Sequence, residues 1–161
     1  MPNNHKDREV PARQPIYSSG NLSEVIFLTV CTKQRKPILA SDEVHSLLCS
    51  LWSDPTSQWS VGRYMILPDH IHLFCSPKSI ESTGIHSWTK FWKSQSTRSW
   101  PIPNQKPIWQ RQFWDTQLRA QDSYSQKWNY VQNNPVRHAL VSDPTEWPYQ
   151  GEIEALAWHD R

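Results

Sequence analysis

Two short apolar runs, Ser60 to Leu67 and Ile71 to Ser76, are separated only by Pro68-Asp69-His70. Runs of this length, rich in β-branched and aromatic residues and broken by a Pro-Asp turn signal, predict a β-hairpin. That hairpin limits the folds open to the chain. It also places His70 and His72 at the start of its second strand, flanking Ile71. Alternate residues of a strand share a face about 7 Å apart, so both imidazoles project together while Ile71 faces a core. This is how one strand offers two nitrogens to a metal ion; the alternative is a pair of ordinary hairpin histidines.

The flanking segments supply the remaining elements. Ser23 to Thr32 (SEVIFLTVCT) predicts a buried strand, followed by a basic exit loop from Lys33 to Pro37. Ser41 is placed to cap a helix reaching about Ser53, with Val44, Leu47, Leu48 and Leu51 at helical spacing and Asp42 and Glu43 in the first turn. A second helix is expected over Ile80 to Ser99, with Ile85, Trp88, Phe91, Trp92 and Gln95 as its inward stripe and Gly84 as its weak point. Lys106 to Phe113 is the candidate fourth strand. Strand, helix, strand, strand, helix, strand describes an α+β, ferredoxin-like βαββαβ antiparallel sheet with both helices on one face. A further helix from Ser123, stopped by Pro135, is left for the other face.

Chain length suits one core that needs no disulfides, and the expected division is a mobile arm over 1–20, a domain over 21–141 and an irregular acidic tail over 142–161. Cys31, Cys49 and Cys75 show no C-x-x-C spacing, which argues against a disulfide framework or a zinc knuckle. No apolar run reaches the length of a membrane span and no secretory pattern opens the chain, so a cytoplasmic protein is expected. The net charge of +2 conceals an asymmetry: Lys90 to Leu140 holds eight basic and two acidic residues, interleaved with Trp92, Trp100, Trp109, Trp114 and Trp128. Such a block suits a polyanion with stackable bases, although core tryptophans in an ordinary surface would look the same.

On the last predicted helix Tyr130 and Asn134 stand four residues apart, within roughly 6 Å on one face. Two imidazoles with an amide oxygen suit a hard divalent ion such as Mg²⁺ or Mn²⁺, and a phenol beside that ion is a nucleophile.

Four blocks then occur in order: Pro68-Asp69-His70-Ile71-His72-Leu73, Ile108-Trp109-Gln110-Arg111-Gln112-Phe113-Trp114-Asp115, Tyr130-Val131-Gln132-Asn133-Asn134-Pro135-Val136-Arg137, and Glu146-Trp147-Pro148-Tyr149. Together they resemble the REP-associated tyrosine transposases, a branch of the Y1 HUH single-strand transposases related to IS200/IS605 elements. The resemblance spans roughly residues 20 to 150. It implies a metal-dependent enzyme that cuts single-stranded DNA beside palindromic hairpins, leaving a 5′-phosphotyrosine and a free 3′-hydroxyl, and then rejoins strands. By matching positions, Tyr130 is the implied nucleophile and His70, His72 and Asn134 the implied ligands. The expected DNA-binding residues are Lys90, Lys93, Arg111, Arg119, Lys127 and Arg137, with Trp109 or Trp114 stacking on bases. The expected partner is hairpin-bearing single-stranded DNA, with no membrane, and the chain is expected as a monomer or homodimer. Two other classes fit the same residues: a hairpin-binding protein that does not cut, and a metal-dependent phosphodiesterase that uses water. The pattern departs from the family where Thr116 replaces the usual histidine and where His138-Ala139 replaces Ala-Gly.

Overall fold

The computed structural model describes residues 24–160, so the expected N-terminal arm lies outside the described residues. Its elements are β1 (Ile26–Cys31), α1 (Asp42–Trp52), β2 (Trp59–Ile66), β3 (His70–Pro77), α2 (Ile85–Arg98), β4 (Trp114–Gln117), α3 (Tyr124–Gln132), α4 (Asn134–Arg137) and β5 (Gln150–Glu152). The strands form one antiparallel sheet in the order β4-β1-β3-β2-β5. Four of these strands stand in the order expected of a split βαβ sandwich, and β5 is an added edge.

Period-two alternation sorts the sheet into two faces. Ile26, Leu28 and Val30 of β1, with Ile71, Leu73 and Cys75 of β3, pack against Val44, Leu48 and Trp52 of α1 and Ile85, Trp88 and Trp92 of α2. On the opposite face Phe74 and Met65 join Tyr124, Trp128 and Val131 of α3, with Trp147 and Leu156. The cross-strand partners Phe27↔Phe74, Thr29↔His72 and Cys31↔His70 share that second face. A one-residue slip would send both histidines into the tryptophan core, so the hydrophobic pattern fixes their register.

Local signals account for the helices. Ser41 Oγ accepts the Val44 N–H at 3.2 Å, and Ser123 Oγ accepts that of Gln126 at 3.2 Å. Helix α2 starts at Ile85 rather than Ile80, with Gly84 as its N-cap, and Ile80 is left in solvent. Its inward stripe also differs from expectation: Ile85, Trp88, Thr89, Trp92 and Ser96 are buried, while Phe91 is exposed.

Three expectations are corrected. The fourth strand is Trp114–Gln117, not Lys106 to Phe113; Pro107 has no N–H to give a ladder, and residues 108–110 only flank the end of β1 through a Thr32↔Trp109 bridge. The helix from Ser123 ends at Gln132, just ahead of Pro135 as expected, but Pro135 is not the end of helical structure: it sits in the first turn of α4, where its missing N–H costs nothing. The C-terminal tail is not irregular, because β5 pairs with Arg63, Tyr64 and Met65 of β2. Trp147 adds an indole bond to Ile66 O at 2.9 Å.

Close approach at Gly62 seats α3 on the sheet. A Cβ there would lie 2.7 Å from Tyr124 Oη and Leu156, and Tyr124 Oη accepts the Arg63 N–H at 3.0 Å. No helix among the described residues is long and apolar enough to cross a membrane.

Candidate functional site

Packing α3 across the sheet leaves a cavity of about 750 Å³ beside the histidine strand. Its walls bring together residues far apart in sequence: His70 and His72 from β3, Lys127, Tyr130 and Asn134 from α3 and α4, with Phe27, Arg35 and His138. The two imidazoles meet edge to face with centroids 4.9 Å apart.

Each imidazole is anchored through Nδ1. His70 Nδ1 lies 2.7 Å from Asp69 Oδ1, and Arg35 Nε donates to Asp69 Oδ2 at 2.9 Å, so the carboxylate bridges a ring and a guanidinium. His72 Nδ1 lies 2.9 Å from Thr29 Oγ1, and its ring stacks on Phe27 at 5.2 Å. In the tautomers where Nδ1–H donates to these oxygens, both Nε2 atoms present lone pairs, the arrangement that metal-ligating histidines share. Electrostatics favour the neutral form of the His72 ring. Burial, reinforced by the positive charges of His70, Arg137, Arg35 and His138, pushes its pKa down to about 3. Burial would raise the Asp69 carboxyl, but hydrogen bonds from His70 and Arg35 outweigh it and hold that group well below the ordinary carboxylate range.

Tyr130 is 69% exposed at the cavity mouth. The Arg137 guanidinium lies 4.0 Å from the centre of its ring, and Arg137 Nη2 donates to Tyr130 O at 2.8 Å and also to Asn134 Oδ1. Asn134 is buried, its amide oxygen already accepting from a cation. Among the described residues no three His, Cys, Asp or Glu side chains cluster as a metal site. The donor chemistry fits a hard divalent ion at the two Nε2 atoms. Asn134 fits once Arg137 turns to another acceptor.

The residues expected to bind DNA do not share one surface. Lys127 and Arg137 line the cavity. Trp114, half-buried, is the cross-strand partner of Thr29 and so stands on the same sheet face. Lys90, Lys93 and Arg111 line a second depression along α2, and Arg119 lines neither. The stacking role expected of Trp109 is corrected: its indole N–H donates to Ser96 Oγ at 3.0 Å and its ring packs against Trp92 and Trp100, so its face is spent on the core.

Sequence reasoning missed four residues that complete the cavity. Thr29 and Phe27 carried the available signal of period two on β1, which puts them beside His72. Arg35 was read only as part of a basic loop; left-handed backbone at Gln34 and Arg35 (φ 57° and 54°) turns it back to Asp69. His138 has no histidine at paired spacing to mark it in the sequence, yet it follows Asn134 by one helical turn and its ring centroid lies 6.1 Å from that of His70.

Comparisons with known proteins agree with this architecture. No family model matches the chain. A REP-associated tyrosine transposase of Escherichia coli K12 is 24% identical over 124 residues, 76% of this chain and 73% of that protein. A provisional REP-associated tyrosine transposase of Haemophilus influenzae is 32% identical over 96 residues, 52% of this chain and 53% of that protein. Among solved structures, a REP-associated tyrosine transposase bound to a REP hairpin superposes with a TM-score of 0.63 at 21% identity, over 85% of this chain and 82% of that one. A provisional transposase of Deinococcus radiodurans gives a TM-score of 0.50 at 21% identity, over 73% of this chain and 96% of that one.

Proposed function

Because this chain belongs to the REP-associated tyrosine transposases, we propose that it is a DNA strand transferase. In this reading it cuts single-stranded DNA beside a palindromic hairpin through a 5′-phosphotyrosine on Tyr130. The observation that carries the reading is the convergence of Tyr130 and Asn134 with His70 and His72 on one cavity, from elements about sixty residues apart.

The chain's own groups divide the work as follows. Tyr130 Oη forms a bond to phosphorus while the bond from phosphorus to the 3′-oxygen breaks. The phenolic proton leaves and the 3′-oxygen takes one up, so the products are a phosphotyrosine and a 3′-hydroxyl. No water is consumed, and the same exchange run backwards joins a strand. The exposure of Tyr130 lets a strand reach it from solvent. Arg137 serves the phosphate: both of its protein hydrogen bonds use Nη2, which leaves Nε and Nη1 for phosphate oxygens directly beside the phenol ring. An Arg137 that turned to a phosphate would give up its bond to Asn134 Oδ1, leaving that oxygen in the cavity wall able to act as a ligand. Lys127, three residues before Tyr130 on the same wall, adds a second positive charge. His70 and His72, fixed by Asp69 and Thr29, are the residues that would hold Mg²⁺ or Mn²⁺. That ion, when bound, supplies a Lewis acid that neutralises charge developing on the phosphoryl oxygens.

Incubation with single-stranded hairpin DNA and Mn²⁺, read on a denaturing gel, tests this. Wild-type protein is expected to give a covalent protein–DNA species and Tyr130→Phe none, with hairpin binding kept. An adduct that survives Tyr130→Phe, or cleavage without any adduct, overturns the mechanism in favour of another nucleophile or of water.

A further inference from the structure

The loop between β1 and α1 is braced against the turn that carries His70. Thr32, fully buried, donates its N–H to Asp69 O at 3.0 Å and its hydroxyl to Lys36 O at 2.8 Å. Leu39 N–H donates to Pro68 O at 2.9 Å from the far end of the loop. Within this frame Gln34 and Arg35 both hold left-handed backbone. Residues with a Cβ adopt that conformation only where their surroundings over-determine it, and strain of this kind gathers at functional sites.

The product of the turn is a guanidinium whose every nitrogen faces a protein group. Arg35 Nε donates to Asp69 Oδ2 at 2.9 Å, Nη1 to Cys31 Sγ at 3.4 Å, and Nη2 lies 3.3 Å from His70 Nδ1. Arg137 differs, since its protein hydrogen bonds use Nη2 alone. Arg35 is therefore committed to the protein rather than to a phosphate. With Oδ2 pinned, Asp69 turns Oδ1 toward His70 Nδ1 at 2.7 Å. An ionised carboxylate has no proton to give, so this contact requires Nδ1–H as the donor and leaves the lone pair on Nε2. The competing arrangement is close by: Nη2 could donate to a bare Nδ1, which would put the proton on Nε2 and close the ring to a metal. The shorter contact with Asp69 decides between the two, and it lasts only while the carboxylate is held in place.

We infer that Arg35 is a positioning residue for the histidine pair: by pinning Asp69 it sets which nitrogen of His70 faces the cavity. The inference rests on the reading of His70 as a metal ligand above. Charge alone predicts the opposite effect. A guanidinium in the cavity wall repels a divalent cation, so its removal by itself would tighten metal binding. The sign of the change in affinity therefore separates positioning from electrostatics.

The test is isothermal titration of Mn²⁺ into metal-free, full-length wild type, Arg35→Gln and Arg35→Lys. Loss of a group that orients a ligand typically weakens metal binding about ten- to a hundredfold, and that fall is expected for Arg35→Gln. Arg35→Lys keeps a cation for Asp69 Oδ2 and is expected to lose less. Long-range ¹H–¹⁵N correlation spectra of the metal-free proteins in mildly alkaline buffer read the His70 ring directly. Wild type is expected to carry the proton on Nδ1, and Arg35→Gln to show a mixture of both tautomers. Anisotropy of a labelled single-stranded oligonucleotide in EDTA is expected to give the same affinity for all three proteins. Arg35 is half-exposed, and thermal melting checks that the variants are folded. Mn²⁺ affinity that is unchanged or tighter in Arg35→Gln overturns the assignment and leaves the Tyr130 chemistry standing. Weaker oligonucleotide binding in EDTA does the same, because it makes Arg35 a phosphate contact. A wild-type spectrum with the proton on Nε2 overturns the assignment without any variant. Wild type that binds no Mn²⁺ overturns the metal reading of the histidine pair as well.

Discussion

In the cavity under α3 the charged side chains are tied to one another, whereas along α2 they stand apart. Asp69 links Arg35 to His70, and Arg137 spans Tyr130 and Asn134. Asp69, Thr29 and Asn134 are thus preorganised around the histidines, and His72 is held neutral by burial and by the cations that surround it. Lys90, Arg98 and Arg111 have no such anchoring among the described residues. Fixed dipoles are what a reacting phosphate needs, because they cost no reorganisation at the moment of reaction. Mobile, solvated cations are what a long polyanion needs, since their contribution comes from counterion release rather than from geometry. One sheet therefore carries a preorganised candidate site on one face and a basic surface of untethered cations beside the other.

The largest expected effect separates the two. His72→Gln removes a ring nitrogen from the rigid cavity without touching α2. Adduct formation is expected to fall on the order of 10²- to 10⁴-fold, the several kcal/mol that a Lewis acid contributes, with hairpin affinity unchanged. Chelation with EDTA is expected to do the same to wild type, and added Mn²⁺ to restore it. Equal loss of binding and cleavage would mean that the two surfaces do not divide the work. Isothermal titration of Mn²⁺ into both proteins gives an independent reading, since only wild type is expected to bind it tightly.

Trp109 marks the limit of what the sequence made legible. Its place in a basic, tryptophan-rich block gave the same signal as a stacking platform, and only the tertiary contacts with Trp92, Trp100 and Ser96 show it to be core. The histidine face and the Ser41 and Ser123 caps were legible because they follow from short-range periodicity and capping. Arg35 and His138 were not, since their positions depend on a left-handed turn and on how α4 packs. The tail strand β5 was hidden for a related reason: Gln150-Gly151-Glu152 has no strand propensity of its own and is recruited by the open edge of β2. Trp109→Ala is expected to cost about 3–5 kcal/mol in denaturant unfolding, as a core truncation does. Trp109→Phe, which keeps most of the packing, is expected to leave the salt dependence of hairpin binding unaltered; a large loss of DNA affinity in that variant would return the residue to the binding surface.

The smallest effect concerns Lys93, the strut that joins the basic surface along α2 to the core through bonds to Gln110 O and Arg111 O. Lys93 has its pKa lowered from 10.5 to about 8 by burial. Below pH 8 the folded and unfolded chains both hold the proton, and the folded chain bears the cost of a partly buried charge. Between pH 8 and 10.5 the unfolded chain keeps a proton that the folded chain has released, so stability rises with pH through that window. The stability of wild type relative to Lys93→Met is therefore expected to increase from pH 8 to pH 10.5, measured by urea unfolding at each pH. A flat difference would mean that the two carbonyl bonds fully compensate burial. Lys93 would then carry no net burial cost, and its part as a strut would rest on the bonds to Gln110 O and Arg111 O alone.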